Sequence, residues 1–135
     1  MAENKIKHLE FIQSTIIRMA NNSFLLKGWT ISIIIGVFAL SKESFINSFN
    51  IFITILPIIV FWVLDGYFLF QERLYRSLYS KVSKTEEVDI DFSMNAYIFV
   101  DDIKNNKLSS MFSETLNIFY ISLLVITLFL ICFNV

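Results

Sequence analysis

The sequence predicts an all-α membrane protein with an N-terminal amphipathic helix, three transmembrane helices and a cytoplasmic helical extension after the second. Hydrophobic residues make up 56% of the 135 residues and charged residues only 17%, which is typical of membrane proteins. Long apolar stretches recur along the chain, and basic residues collect on one side of them. We expect a single membrane domain, 1–135, because the remainder is too small for a core of its own.

Residues 1–22 are predicted to form the amphipathic helix. They lack the apolar core and cleavage site of a secretory signal, so we treat them as part of the mature protein. Apolar side chains recur there at helical spacing, at Ile6, Leu9, Ile12, Ile16 and Met19. We expect this helix to lie on the membrane surface or against a partner. Asn21, Asn22 and Ser23 can each cap a helix, so a bend or a new helix start is expected there.

Three stretches are candidates for crossing the bilayer, which takes ~20 apolar residues per helix. Residues 115–134 contain no charge, whereas 49–70 contain Asp65 and 24–41 contain Lys27. The latter two stretches can span if Asp65 lies near an interface and the Lys27 amine extends toward the headgroups.

The basic residues predict the orientation. Of the 11 lysines and arginines, all except Lys42 lie before or near the start of the first span, or between the second and third spans. The positive-inside rule then places the N-terminus in the cytoplasm and the C-terminus outside, in a multi-pass protein of the inner membrane. The formal net charge of -1 does not indicate a nucleic-acid partner.

Residues 71–113 predict a cytoplasmic helix followed by a linker. QERLYRSLYSKV continues the helical spacing, and Glu72 and Arg76 are placed for an ion pair at i, i+4. The acidic segment that follows loses the pattern, and the apolar run 97–100 is too short to span. A candidate surface for a cytoplasmic protein partner consists of Arg18, Glu72, Arg73 and Arg76.

Asp65 is the most informative residue, because a carboxylate in or near hydrocarbon is costly and usually faces a partner or water. Lys27 is its natural partner, since a short loop makes the first two spans antiparallel neighbours. Two other interpretations stay open. Asp65 can mark the point where the second helix leaves the membrane, with a hydrated carboxylate, or it can couple to protons or ions.

Asn47, Thr54 and Asp65 fall on nearly one face of the second helix. Such a polar stripe can line a water path, but the apolar residues on the same face favour hydrogen bonding to a neighbouring helix. Pro57 leaves the Ile53 carbonyl without its usual donor, which predicts a kink.

Gly28, Ser32 and Gly36 form a ridge of small residues at i, i+4 and i+8 on the first helix. Small residues allow another helix backbone to approach closely. The partner can be this chain's second helix or another subunit, and the sequence does not choose between them.

Nothing in the sequence indicates catalysis, a cofactor or a metal. His8 is the single histidine and Cys132 the single cysteine, so a transition-metal site is not expected. Asp89 and Asp91 lie in an acidic linker and are interpreted as solvated. A catalytic triad, a glycine-rich phosphate loop and a zinc motif are all absent from the sequence. We therefore expect a protein that is not an enzyme.

The segments 7–29 and 61–79 resemble a family of small, uncharacterised bacterial multi-span membrane proteins. The resemblance implies a shared constellation on the cytoplasmic side, formed by His8, Arg18, Lys27, Trp29, Asp65, Gly66, Glu72 and Arg73. In layout, the chain is also similar to SLATT-type two-transmembrane effectors of bacterial anti-phage defence.

The leading hypothesis is an oligomeric membrane effector, or a pore-associated component, that responds to a cytoplasmic partner and acts in phage defence. The alternative is a membrane anchor or interaction subunit that recruits a separately encoded soluble enzyme through residues 1–22 and 71–112. A proton-coupled transporter is a third interpretation, although three helices and one carboxylate make a sparse translocation route.

Overall fold

The computed structural model describes residues 2–40, 48–101 and 106–133. Over these ranges the chain is helical and contains no strand, which confirms the all-α class. The elements in chain order are α1 (Ala2–Leu40), α2 (Ser48–Lys84), two 3₁₀ turns (Glu87–Asp89 and Ala96–Phe99), α3 (Lys107–Met111) and α4 (Glu114–Phe133).

Three of these helices, α1, α2 and α4, are long and apolar enough to cross a membrane. Large apolar side chains cover their outer surfaces, as expected where the surrounding solvent is lipid. The chain is therefore a membrane-embedded protein. The predicted spans 24–41, 49–70 and 115–134 fall on α1, α2 and α4, and residues 41 and 134 lie outside the described ranges.

The first two helices are much longer than a bilayer requires. With 39 and 37 residues, α1 and α2 are each roughly 55–58 Å long, against ~30 Å of hydrocarbon. They pack against each other, so both extend beyond the spans at the same end of the molecule. We call this end, formed by residues 2–22, 70–101 and 106–113, the projecting layer.

The helix start predicted at Asn21, Asn22 and Ser23 is wrong, because α1 continues through these residues without interruption. The Ser23 hydroxyl does not cap a helix end but donates to Asp65 on α2. The predicted amphipathic segment is the first half of α1, and its Ile12 and Ile16 side chains are buried against α2. Packing on its own chain therefore replaces the expected separate helix on the membrane surface.

The projecting layer has a small core, contrary to the expectation from chain length. Both long helices continue beyond the spans, and the turn Ala96–Phe99 folds back onto them. At the far end, the Lys5 ammonium donates to the carbonyls of Ser83 and Thr85, at 3.1 and 2.7 Å. These carbonyls lie at and just after the end of α2, where cations are favourable. The buried core residues are Ile12, Ile16, Phe70, Leu74, Leu78, Val82 and Ala96.

A second cluster lies among the spanning helices and consists of Ile34, Ile58, Leu116 and Tyr120. It draws on α1, α2 and α4, so the third span packs onto the antiparallel pair. Between the two clusters lies a buried polar site.

Candidate functional site at the junction of the three spanning helices

Asp65 is fully buried, with no exposed surface, and its side chain lies where α1, α2 and α4 meet. It shares the inner face of α2 with Ile58, while the intervening Val63 and Leu64 are exposed. A buried carboxylate needs partners that supply hydrogen bonds or opposite charge, because burial removes its hydration.

Two partners come from α1. The Lys27 ammonium forms an ion pair with Asp65 and donates to Oδ2, and the Ser23 hydroxyl donates to Oδ1. Lys27 also donates to the Ser23 hydroxyl oxygen, at 2.8 Å. Ser23 and Lys27 are one helical turn apart, so both face α2 together. The structure thus brings together the two charges that the sequence paired.

The third partner, Tyr120, comes from α4. Its hydroxyl lies 3.0 Å from Asp65 Oδ2 and 3.3 Å from the Phe61 carbonyl, both acceptors, so its proton is shared between them. The Tyr120 ring stacks on Trp62, with centroids 5.7 Å apart and planes within 5°. Tyr120 is itself fully buried. The carboxylate therefore links all three spanning helices.

We call Ser23, Lys27, Asp65 and Tyr120 the polar node. Its one carboxylate and one ammonium carry opposite charges, and each carboxylate oxygen accepts at least one hydrogen bond. The Lys27 side chain is 19% exposed, whereas Asp65 has no exposure, so the cationic end is nearer to solvent. The node is suited to holding helices in one arrangement, because separating its members would leave a charge unpaired.

Sequence reasoning missed Ser23 and Tyr120 as site residues. Ser23 carried a local signal, since it precedes Lys27 by four residues on the same helical face. Tyr120 carried a weaker one, since it is one of several polar residues in an uncharged span. Its role depends on which face of α4 meets α2, and that is a property of the packing.

The short helix α3 is fixed to α2 beside the node. The Trp62 indole donates to the Met111 carbonyl, at 2.8 Å. Gly66 faces the same residue so closely that a Cβ built there would lie 3.0 Å from Met111 Cα. The Arg73 guanidinium donates to the Ser110 hydroxyl, at 3.2 Å. Gly66 therefore permits a close contact between the backbones of α2 and α3.

The polar stripe of α2 lies on its buried face, where Thr54 has no exposed surface. Asn47 lies outside the described residues. Pro57 lies inside α2, and the helix continues through it. The burial of Thr54 and Asp65 supports the interpretation of the stripe as a packing surface between helices.

The small-residue ridge of α1 does not pack on the described part of this chain. A Cβ built on Gly28 or Gly36 would meet no atom within 4 Å. Ser32 is exposed, and its hydroxyl donates to the Gly28 carbonyl of its own helix. Of the two partners left open by the sequence, the second helix of this chain does not occupy the ridge.

The four residues of the candidate partner surface are not joined in one network of ion pairs among the described residues. Arg76 and Glu72 form the predicted ion pair, with Nη2 and Oε1 2.7 Å apart, whereas Arg73 contacts α3. Arg18 is exposed on α1, and among the described residues it forms no ion pair with Glu72. His8 is buried in the projecting layer, where its ring meets Phe92 edge-on.

The described residues contain no group of three histidine, cysteine, aspartate or glutamate side chains arranged to hold a metal ion. Asp89 and Asp91 are both exposed, and Cys132 is also exposed. Comparison with protein-family models, curated proteins and solved structures finds no match to the chain.

Proposed function

We propose that this chain is a subunit of an oligomeric membrane effector, or of a pore-associated complex, that responds to a cytoplasmic partner. The observation that carries the proposal is the open small-residue ridge on α1. A Cβ built on Gly28 or Gly36 would meet no atom within 4 Å in the described part of the chain, although a membrane helix gains from close backbone contact at such residues. The occupant that we propose is α1 of another copy.

Helices α1 and α2 each belong to the projecting layer and to the spans, which suggests how a signal would travel. Each helix runs unbroken from the projecting layer into the spans, so a partner that moves one end of α1 also moves the polar node. The node joins α1 to α2 and α4, and its rearrangement would change how the spans pack. Because the layout is similar to that of anti-phage effectors, we propose phage defence as the setting.

Leucine at Gly28 or Gly36 is expected to weaken self-association without preventing membrane insertion, because leucine suits lipid but fills the ridge. The measurement is crosslinking in native membranes, together with the mass of the assembly in mild detergent. Ser122→Leu is the matched control, since it also enlarges a small exposed residue, but on α4. Expression of the wild-type chain with its trigger should depolarise the membrane, and the ridge variants should not.

Unchanged assembly in both ridge variants would remove α1 as the interface. Equal loss of assembly in Ser122→Leu would also contradict the proposal, since the effect would then depend on bulk rather than on the ridge.

We also propose that the projecting layer is cytoplasmic and that the C-terminus lies outside the inner membrane. The support is the concentration of basic residues in and next to that layer. A reporter active only in the periplasm, fused after Val135, should work, and a reporter active only in the cytoplasm should be silent at that position. The reverse pattern contradicts this orientation.

A second candidate function is a membrane anchor that recruits a soluble enzyme. Exposed apolar side chains on the projecting layer favour it, since Phe11 and Val88 project into what is proposed to be water. Co-purification of one soluble enzyme with the wild-type chain, lost in Phe11→Ser, would favour this candidate. Depolarisation without any such partner would favour the effector.

A further inference from the structure

We propose that the corner between α2 and α3 binds the headgroup of an anionic phospholipid through Arg73 and Lys107. Neither residue belongs to the polar node or to the ridge on α1. The inference is therefore independent of the proposed effector function and of the orientation of the chain. It requires only that α4 spans the membrane.

The position of α3 places these cations at the membrane boundary. The helix Lys107–Met111 ends three residues before α4 begins, at the point where the chain enters its most apolar span. Two apolar side chains of this segment are exposed, Leu108 at 62% and Phe112 at 59%. Exposed apolar groups next to a spanning helix are typical of an element that lies at the lipid interface.

The two cations meet at one place. The Lys107 ammonium lies over the Phe70 ring, 5.5 Å from its centroid, and Arg73 follows Phe70 by three residues on α2. The Arg73 guanidinium reaches α3 through Ser110, at 3.2 Å, with Ser109 beside it at 3.5 Å. Both cations therefore contact the corner where α2 and α3 meet, Lys107 at Phe70 and Arg73 at Ser110.

Neither cation has an acidic partner among the described residues. The ion pairs formed by that part of the chain join Lys7 to Glu3, Lys27 to Asp65 and Arg76 to Glu72. The hydroxyls near Arg73 are neutral and do not compensate its charge. A guanidinium and an ammonium at one corner suit a phosphate, because the first can bind two oxygens and the second supplies a point charge.

The lipid explains features that a free phosphate would not. Its acyl chains would lie against Leu108 and Phe112, while its phosphate would lie at the corner between α2 and α3, beside Ser109. The attraction of a basic residue near the membrane surface to anionic lipid is worth about 1 kcal/mol, which corresponds to about fivefold in affinity. Two such residues are enough to distinguish an anionic headgroup from a zwitterionic one.

The test is a lipid titration of the full chain in neutral detergent, followed by native mass spectrometry. Phosphatidylglycerol and phosphatidylcholine with the same acyl chains are compared. The wild-type chain should bind phosphatidylglycerol at least fivefold more tightly. Lys107→Gln should lower that affinity about fivefold and leave phosphatidylcholine binding unchanged. Lys84→Gln is the matched control, since it removes the same charge from an exposed site at the end of α2.

Arg73 is tested with two variants, because its side chain also holds α3 against α2. Arg73→Lys keeps the charge and should retain more phosphatidylglycerol binding than Arg73→Gln. Trp62 emission, measured in a Trp29→Phe background, reports whether α3 stays packed against α2. Equal binding of the two lipids by the wild-type chain would overturn the proposal, as would equal losses in Lys107→Gln and Lys84→Gln. Thermal stabilisation by inorganic phosphate alone, as large as that by phosphatidylglycerol, would assign the corner to free phosphate. That result would also overturn the proposal.

Discussion

Replacing Asp65 with leucine is expected to lower the free energy of unfolding by about 3 kcal/mol. Leucine branches at Cγ as aspartate does but is larger, so the change removes the charge and both acceptor oxygens, leaves no cavity and crowds the groups that were hydrogen-bonded to Asp65. The Ser23, Lys27 and Tyr120 side chains would then lose their shared acceptor. The Lys27 ammonium would also remain close to hydrocarbon without its counterion.

Asp65→Asn should cost less, because the amide keeps one oxygen that can still accept from Lys27 or Tyr120. The ranking wild type, Asp65→Asn, Asp65→Leu is checked by thermal unfolding in detergent, followed by circular dichroism. Leu64→Val, a small apolar change on the neighbouring exposed position, serves as the control and should leave the midpoint nearly unchanged. An Asp65→Leu variant as stable as the wild type would show that the node does not stabilise the fold.

Alanine at Gly66 is expected to destabilise the chain by about 2 kcal/mol, because its Cβ would collide with α3. The added Cβ would lie closest to Met111 Cγ and 3.0 Å from Met111 Cα. The Cα is a backbone atom and cannot move aside as a flexible side chain does. The short helix must shift, and the hydrogen bond from Trp62 to the Met111 carbonyl is then lost.

The control for Gly66→Ala is Gly28→Ala, measured on the dissociated monomer, where the added Cβ meets no described atom within 4 Å. There the helix propensity of alanine should leave stability unchanged or raise it by up to ~1 kcal/mol. Thermal unfolding measures both variants, and Trp62 emission in a Trp29→Phe background reports on α3. If both glycines respond alike, the close contact between α2 and α3 is not a constraint.

Much of the fold follows from local patterns in the sequence. Three apolar stretches predict the three spanning helices, and the spacing of Glu72 and Arg76 predicts their ion pair. The pairing of Lys27 with Asp65 also follows, because a short loop makes their helices antiparallel and places both charges at the same end. Each of these inferences depends on residues close in sequence or on one simple topological rule.

The rest depends on which faces of distant helices meet. Tyr120 lies 55 residues from Asp65, and nothing in the apolar pattern of α4 distinguishes its inner face from its outer one. The helix start expected at Asn21 to Ser23 does not occur, because capping residues are compatible with a helix interior when tertiary contacts continue on both sides. The contact of Gly66 with Met111 joins α2 to a helix of five residues. Sequence periodicity over so short a helix carries little information.

The most direct test of the polar node is a double-mutant cycle on Lys27 and Asp65. The variants are Lys27→Met, Asp65→Leu and the two together, and the measurement is the free energy of unfolding in detergent. Each single change leaves one charge without its partner, whereas the double change leaves two apolar side chains that lipid tolerates. We predict that the double variant is more stable than the sum of the single losses implies, by about 1–2 kcal/mol. Losses that simply add would mean that the two charges act independently, and the node would not be the link between the spanning helices.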